Sequence, residues 1–240
     1  FWKFWDLRPK LLKEFEEKKF VFASGVFTKF LSFRRVPTSN VYNLKVKLYF
    51  LYDWAEFSAL QSSLHQSWAF WRCGRLGGST LSYSTSAALE TWPMPKFPSK
   101  EQHESAATAG EKFYNAREDV IKSRSIGLTS FYNSFHDKDL SDSEMSAVRE
   151  LLIVMDKTIC AAYGWNDVNL GHDFIEVPYL QDNDNTRFTI SEEARIEILR
   201  RLADLNSEQY EEEAAQGLHA KKKPSTRKTN TPVNQNEMDV

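Results

Sequence analysis

The sequence predicts an α+β fold: a mixed α/β lobe over residues 1–97, a mainly helical lobe over 98–216 and a disordered tail over 217–240. Three observations predict it. Apolar residues alternate with polar ones over 20–52, the period of half-buried strands. From Ser99 onward apolar residues recur at helical spacing behind serine caps. Charge divides the chain at the same place: residues 1–97 carry 14 Lys+Arg against 7 Asp+Glu, residues 98–220 carry 12 against 24, and residues 221–240 carry 5 against 2.

The elements follow in order. Phe1-Trp2-Lys3-Phe4-Trp5 reads as structured aromatic chain and, with no initiating methionine, predicts a piece of a longer polypeptide. Phe20 and Phe22, then Val26 to Phe33 beyond Gly25, alternate as strands. In the run Val41 to Leu48, Leu44, Val46 and Leu48 fall on one face and Lys45 and Lys47 on the other, which predicts a sheet with a basic outer face. Asp53 with Glu56 forms a capping box, and Phe57, Leu60, Leu64, Trp68 and Trp71 then recur at helical spacing, predicting one helix of about five turns. It ends at Gly74; Arg75 to Thr80 reads as a loop, and Leu81 to Trp92 runs into Pro93-Met94-Pro95, where prolines stop regular structure.

In the second half, Ser99 with Gln102 and Ser141 with Glu144 are two more capping boxes, the latter opening a helix that buries Val148, Leu151, Leu152, Met155 and Ile159. A further helix starts at Ser191, with Glu192 and Glu193 in its first turn, and buries Ala194, Ile198, Leu202 and Leu205. From Lys221 on, Lys, Pro, Ser, Thr and Asn leave nothing to bury.

Composition excludes several classes. At 240 residues, 41% hydrophobic and 14% aromatic, the chain can bury a sizeable core. No stretch approaches the roughly 18 apolar residues of a membrane helix and the opening lacks a signal-peptide layout, so the expectation is a soluble, cytoplasmic protein. Cys73 and Cys160 stand alone, without CxxC or histidines at zinc spacing, and read as buried thiols. There is no Gly-x-Gly-x-x-Gly after a strand, no phosphate loop, no His-Glu-x-x-His and no Gly-x-Ser-x-Gly. The carboxylate runs Glu192-Glu193 and Glu211-Glu212-Glu213 suit a helix start and a solvated face. No catalytic constellation emerges, and no cofactor or metal is expected in this chain.

A basic, aromatic-rich first half remains. Excess positive charge suits a phosphate backbone, and lysines such as Lys45 and Lys47 suit phosphates, as do Arg34 and Arg35. Arg72 and Arg75 flank Gly74 at a helix end, beside a loop whose Gly77 and Gly78 let backbone approach a ligand. Arginine is the residue best able to contact guanine edges bidentately. The competing explanation is a solvated basic face with Arg75 satisfying carbonyls at the helix end.

Several blocks in order carry a resemblance. Leu60-Gln61-Ser62-Ser63-Leu64-His65-Gln66-Ser67-Trp68-Ala69 is followed by Cys73-Gly74-Arg75-Leu76, Leu81-Ser82-Tyr83-Ser84 and Glu90-Thr91-Trp92-Pro93-Met94-Pro95. This series resembles the target-recognition domain of type IIG and IIL restriction–modification enzymes and related adenine-specific DNA methyltransferases. Gly127-Leu128-Thr129, Tyr132-Asn133, Phe135-His136-Asp137, Arg149-Glu150-Leu151, Met155-Asp156, Ala161 to Trp165 and Arg187 to Ser191 look like the helical carboxy-terminal region of the same proteins. The resemblance covers about residues 20–213.

It implies that residues 1–97 form a DNA target-recognition lobe, with double-stranded DNA as partner and with Tyr83 and Ser84 joining Arg34, Arg35, Lys45, Lys47, Arg72 and Arg75 as DNA-binding residues. The family's Asn-Pro-Pro-Tyr/Phe methylase centre and its glycine-rich cofactor loop have no match here. The resemblance therefore implies an amino-terminal methylase domain elsewhere in a parent enzyme, using S-adenosylmethionine. Ser82 departs from the family, in which an arginine is usual. Trp68 and Trp92 read as core, and His65 stays open. The alternative from another class is a protein-interaction or scaffold module of a phage-defence complex, docking through the acidic helical half.

Overall fold

The computed structural model describes residues 13, 15–51 and 53–218. The aromatic opening Phe1–Trp5 and the tail from residue 219 lie outside the described residues. The chain is mixed α/β: small antiparallel sheets in the first half, long helices in the second.

Strands β1 (Phe20–Gly25), β2 (Phe27–Thr28), β3 (Arg34–Pro37) and β4 (Val46–Tyr49) come first. β1 lies between β3 and β4 and is antiparallel to both, pairing Phe22 with Arg35 on one side and with Tyr49 on the other. β3 and β4 thus run parallel to each other, and residues 38–45 must cross the sheet from one end of β1 to the other. The strand pattern anticipated from Val26 to Phe33 is realised only at β2. Beyond Thr28 the chain leaves the ladder and buries Phe30, Leu31 and Phe33 directly in the core.

The face assignment for 41–48 is corrected. Leu44 is 98% exposed, and the buried member of the strand is Tyr49. Lys47, two residues away, therefore shares Tyr49's face. Tyr49 decides the parity because it packs edge-on to Phe33 and bonds Ser24 Oγ at 2.8 Å.

The single helix foreseen over 53–71 is two: α1 (Trp54–Gln61) and α2 (Ser63–Arg72). Asp53 caps α1 as expected, accepting the amides of Ala55 and Glu56. Ser62 breaks the run. Its backbone is extended (φ −63°, ψ 155°), and its hydroxyl donates to Ala59 O and accepts from His65 N, so one side chain ends one helix and caps the next. The apolar spacing survives the break at Phe57, Leu60, Leu64 and Trp68, all buried, but Trp71 swings out and is half exposed.

Residues 75–80 are not an irregular loop. β5 (Arg75–Leu76) and β6 (Thr80–Ser82) form a hairpin that adds to β2 in the order β2-β6-β5. Gly77 and Gly78, both at positive φ, make the reversal possible, and Gly78 also packs against Gln181. A π-helical turn at Thr85–Leu89 leads into Pro93–Pro98, which carries no regular structure.

The second half holds α3 (Lys100–Ser123), α4 (Leu128–Phe135), α5 (Ser143–Ala162) and α6 (Glu192–Ala215). Ser99 and Ser191 cap α3 and α6 as the sequence predicts. The cap of α5 is Asp142 and not Ser141; its carboxylate takes the amides of Glu144 and Met145 and is gripped by Arg124. A two-stranded hairpin, β7 (Asp173–Glu176) with β8 (Thr186–Thr189), was not legible in the pattern.

One core holds buried residues of both halves, with Phe57 of α1, Phe113 of α3 and Met155 of α5 in the same cluster. α1 meets α3 closely at Gly110, where an added Cβ would lie 2.9 Å from Trp54 O. Arg117, fully buried, ties the junction together through Gln61 Oε1, Tyr132 Oη and Phe33 O. Cys73 and Cys160 are free, buried thiols. Among the described residues no helix is long and apolar enough to cross a membrane.

Candidate nucleic-acid interface

Three backbone bonds place four chain segments side by side. Val26 N bonds Lys45 O at 2.9 Å, Tyr83 N bonds Val26 O at 2.8 Å, and Ser82 N bonds Gly74 O at 2.9 Å. At about 4.8 Å per strand the strip from Lys45 to Gly74 is about 14 Å wide. That is wider than the two-stranded ribbon a roughly 12 Å major groove admits, so the whole strip suits the flank of a duplex and only its β5–β6 hairpin is narrow enough for the groove.

Strand register decides what faces outward. Phe27 pairs with Ser82, and Leu76 with Thr80, so these four share one face; Leu81, Thr28 and Arg75 share the other. Leu81 is fully buried, which marks its side as the core side. Phe27 is 44% and Leu76 52% exposed on the opposite side, and the Lys45 ammonium lies 5.7 Å from the Phe27 ring centre. The outward face is thus an aromatic and an aliphatic residue, two hydroxyls and a lysine. Phe27, Leu76 and Thr80 escaped the sequence reading as outward-facing residues because strands of two or three residues have no period to read.

The residues singled out in advance are dispersed around this strip. Arg75 is exposed at the edge on the core side, near Tyr179, and among the described residues it makes no hydrogen bond to a helix carbonyl. Arg72 lies over the rings of Trp68 and Trp71 and donates to Ala87 O at 3.4 Å. Lys47 lies 5.8 Å from the Tyr83 ring centre. Arg35 sits over Phe20 and Trp54. Arg34 is bound to the buried Glu118 carboxylate at 2.7 Å, so its charge is largely taken up within the protein. Ser84 accepts Ala87 N and caps the π-helical turn.

Tyr83 is 1% exposed. Its hydroxyl reaches His65 Nε2 at 3.3 Å, and burial drives its pKa far above the ordinary tyrosine value. His65 Nδ1 meets Leu60 O at 2.8 Å, so the proton sits on Nδ1 and Nε2 accepts from Tyr83. Burial holds the His65 pKa down at about 4. His65 and Tyr83 are therefore a neutral core pair, and Trp68 and Trp92 pack beside them.

Electrostatics favours an anionic partner at the strip. Residues 18–52 contain Lys18, Lys19, Lys29, Arg34, Arg35, Lys45 and Lys47 and not one carboxylate. Arg34 pairs with Glu118 and Lys29 with Asp184, while Lys19, Arg35, Lys45 and Lys47 have no carboxylate partner among the described residues. Among those residues no group of three or more His, Cys, Asp or Glu could hold a metal ion.

The fold has a counterpart among solved structures. The fold resembles part of the type IIL restriction-modification enzyme MmeI, whose structure was determined in complex with DNA. The TM-score is 0.57 at 15% sequence identity, over 81% of this chain and 22% of that one. At that identity the likeness is one of fold, and the chain spans about a fifth of that protein's length. No protein-family model and no curated protein matches the chain.

Proposed function

We propose that this chain is the DNA target-recognition segment of a bacterial site-specific adenine-N6 DNA methyltransferase or restriction–modification enzyme. The observation that carries the reading is the strip itself: at one end Lys45 and Phe27, from a stretch of chain without carboxylates, and at the other the two-stranded β5–β6 hairpin, of a width the major groove admits. The fold likeness to an enzyme solved with DNA supports it.

In this reading lysines and Arg35 hold phosphates, and the β5–β6 hairpin reads base edges. Methyl transfer and the S-adenosylmethionine site belong to an amino-terminal methylase domain of the parent enzyme, acting in the bacterial cytoplasm as part of phage defence. That domain must extrude an adenine, which costs a few kcal/mol of stacking, and the grip supplied by this chain offsets it.

The test is selection from a duplex library with a randomised centre. Enrichment of one short motif, with affinity falling steeply as salt rises, is the expected result. Binding without sequence enrichment, or none at 50 mM salt, would overturn the proposal.

A further inference from the structure

Three sequence blocks far apart in the chain converge on one cleft that plays no part in the strip. Lys29 and Phe30 follow β2, Asn133 and His136 come from the end of α4, and Asp184 and Arg187 come from the turn and start of β8; together they line a cavity of about 200 Å³. We propose that this cleft binds a phosphate group, held by Lys29, Asn133, His136 and Arg187.

The donor set is fixed by contacts around it. His136 Nδ1 accepts the Phe188 amide at 3.0 Å, which forces the ring proton onto Nε2 and makes that atom a donor. The ring is stacked on Tyr132 and lies against Phe30, so its orientation is set. Burial, with Arg187, Arg149 and Lys29 nearby, keeps His136 neutral, so it donates without titrating.

Arg187 has a side chain only 4% exposed. Its Nη1 bonds Thr186 O at 2.7 Å and Asp184 at 3.4 Å, but Nη2 is buried with no hydrogen-bond partner. An unmade bond on a buried guanidinium is costly, and an oxyanion in the cleft that Arg187 lines would repair it once the guanidinium, now over the Phe30 ring, turns toward it. The Lys29 ammonium meets Asp184 at 3.0 Å and Asn133 Oδ1 at 3.4 Å, which turns the Asn133 amide nitrogen into a free donor. Asp184 neutralises part of this charge and Asp182 lies at the exposed rim. The lining thus holds two cations, Lys29 and Arg187, against these two carboxylates, so the anion would be held chiefly by hydrogen-bond donors.

A cleft of this size admits a tetrahedral oxyanion. The phosphate can be a diester of the DNA backbone or a free ion. Lys29 is two residues from Phe27, so a duplex lying on the strip would bring a backbone phosphate within reach. That source rests on the proposed DNA-recognition role, whereas the site itself does not.

The experiment has two arms on the full chain. In the first, inorganic phosphate is titrated against chloride and sulfate controls while the His136 ring resonances are followed. Saturable shifts at millimolar phosphate, weakened at least tenfold in Lys29→Met and in Asn133→Asp, are expected. Asn133 is exposed, so its substitution leaves the fold intact even if Arg187 variants do not fold. In the second arm, Lys29→Met should lower the salt dependence of duplex binding by about one ion. Loss of phosphate binding with an unchanged salt slope keeps the site and assigns it to free phosphate, as does phosphate binding by a chain that ignores DNA. No His136 response at 20 mM phosphate, with an unchanged slope, overturns the proposal.

Discussion

Acid should destabilise this protein through His65, beginning above the pH range in which ordinary carboxylates are protonated. The ring is fully buried, donates from Nδ1 to Leu60 O and accepts from Tyr83 at Nε2. Protonation places a charge in the core and turns the Tyr83 contact into two opposed donors. The folded pKa, about 4, lies below the ordinary 6.5, so the unfolded chain takes up the proton first. The His65 contribution to stability is therefore full above pH 6.5, falls as pH drops, and is lost by about pH 4. That displacement is worth about 3 kcal/mol, a large part of the 5–15 kcal/mol typical of a domain. Asp142, Asp167 and Glu197 are held near 2 by arginines, so their contribution is lost with the same sign but lower, as pH falls from about 4 to 2. His136 shifts in the same direction as His65, so the comparison must be with a His65→Gln variant, which removes only the His65 contribution. Urea unfolding of both proteins from pH 7.5 to 4.5 is the assay. The wild type should lose about 2–3 kcal/mol more than the variant across that range. Equal pH slopes, or a His65 ring that titrates near 6.5 by NMR, would refute the reasoning.

Other expectations follow from packing and from the strip. Gly110→Ala forces a methyl against Trp54 O and should cost about 1–3 kcal/mol by calorimetric melting; an unchanged melting temperature would mean that α1 and α3 can part. Ser82→Arg restores the residue usual in the resembling family on the outward face beside Phe27, and should steepen the salt dependence of DNA binding by about one ion; no change would remove position 82 from the interface. Arg75→Ala in the parent enzyme should cost about 1–3 kcal/mol of binding and relax preference at one base position, read by methylation mapping; an intact target with lower thermal stability would make Arg75 a structural residue. Lys45→Ala and Lys47→Ala should weaken binding evenly across sequences. The chain alone is expected to give no heat with micromolar S-adenosylmethionine, and stoichiometric binding would contradict that.

Helix starts were legible because a cap is a local transaction: Asp53, Ser99 and Ser191 each satisfy amides two or three residues on. Where two cap residues stood together, at Ser141 and Asp142, the capping-box spacing chose the wrong one; Asp142 wins because Arg124, eighteen residues back, holds its carboxylate. The break at Ser62 had a visible signal in Ser62-Ser63, two hydroxyls in mid-helix, but the unbroken apolar spacing masked it. The β5–β6 hairpin was hidden for another reason. Its strands are two and three residues long, and only the neighbouring β2 makes them a sheet.

The sequence by itself determined what depends on neighbours along the chain: the α+β class, the helix starts at Asp53, Ser99 and Ser191, the proline stop after Trp92, and the division of charge between the halves. Only the tertiary structure decided which side chains are available to a partner. Tyr83 and Ser84 are adjacent to Ser82, yet Tyr83 is sealed against His65, Ser84 is spent on a cap, and Ser82 faces out beside Phe27. Arg34 and Arg35 are adjacent too, but Glu118, 84 residues away, claims the first alone. Periodicity reports which residues alternate; which face is inside depends on what the fold packs against it, and that is set by contacts between residues distant in sequence.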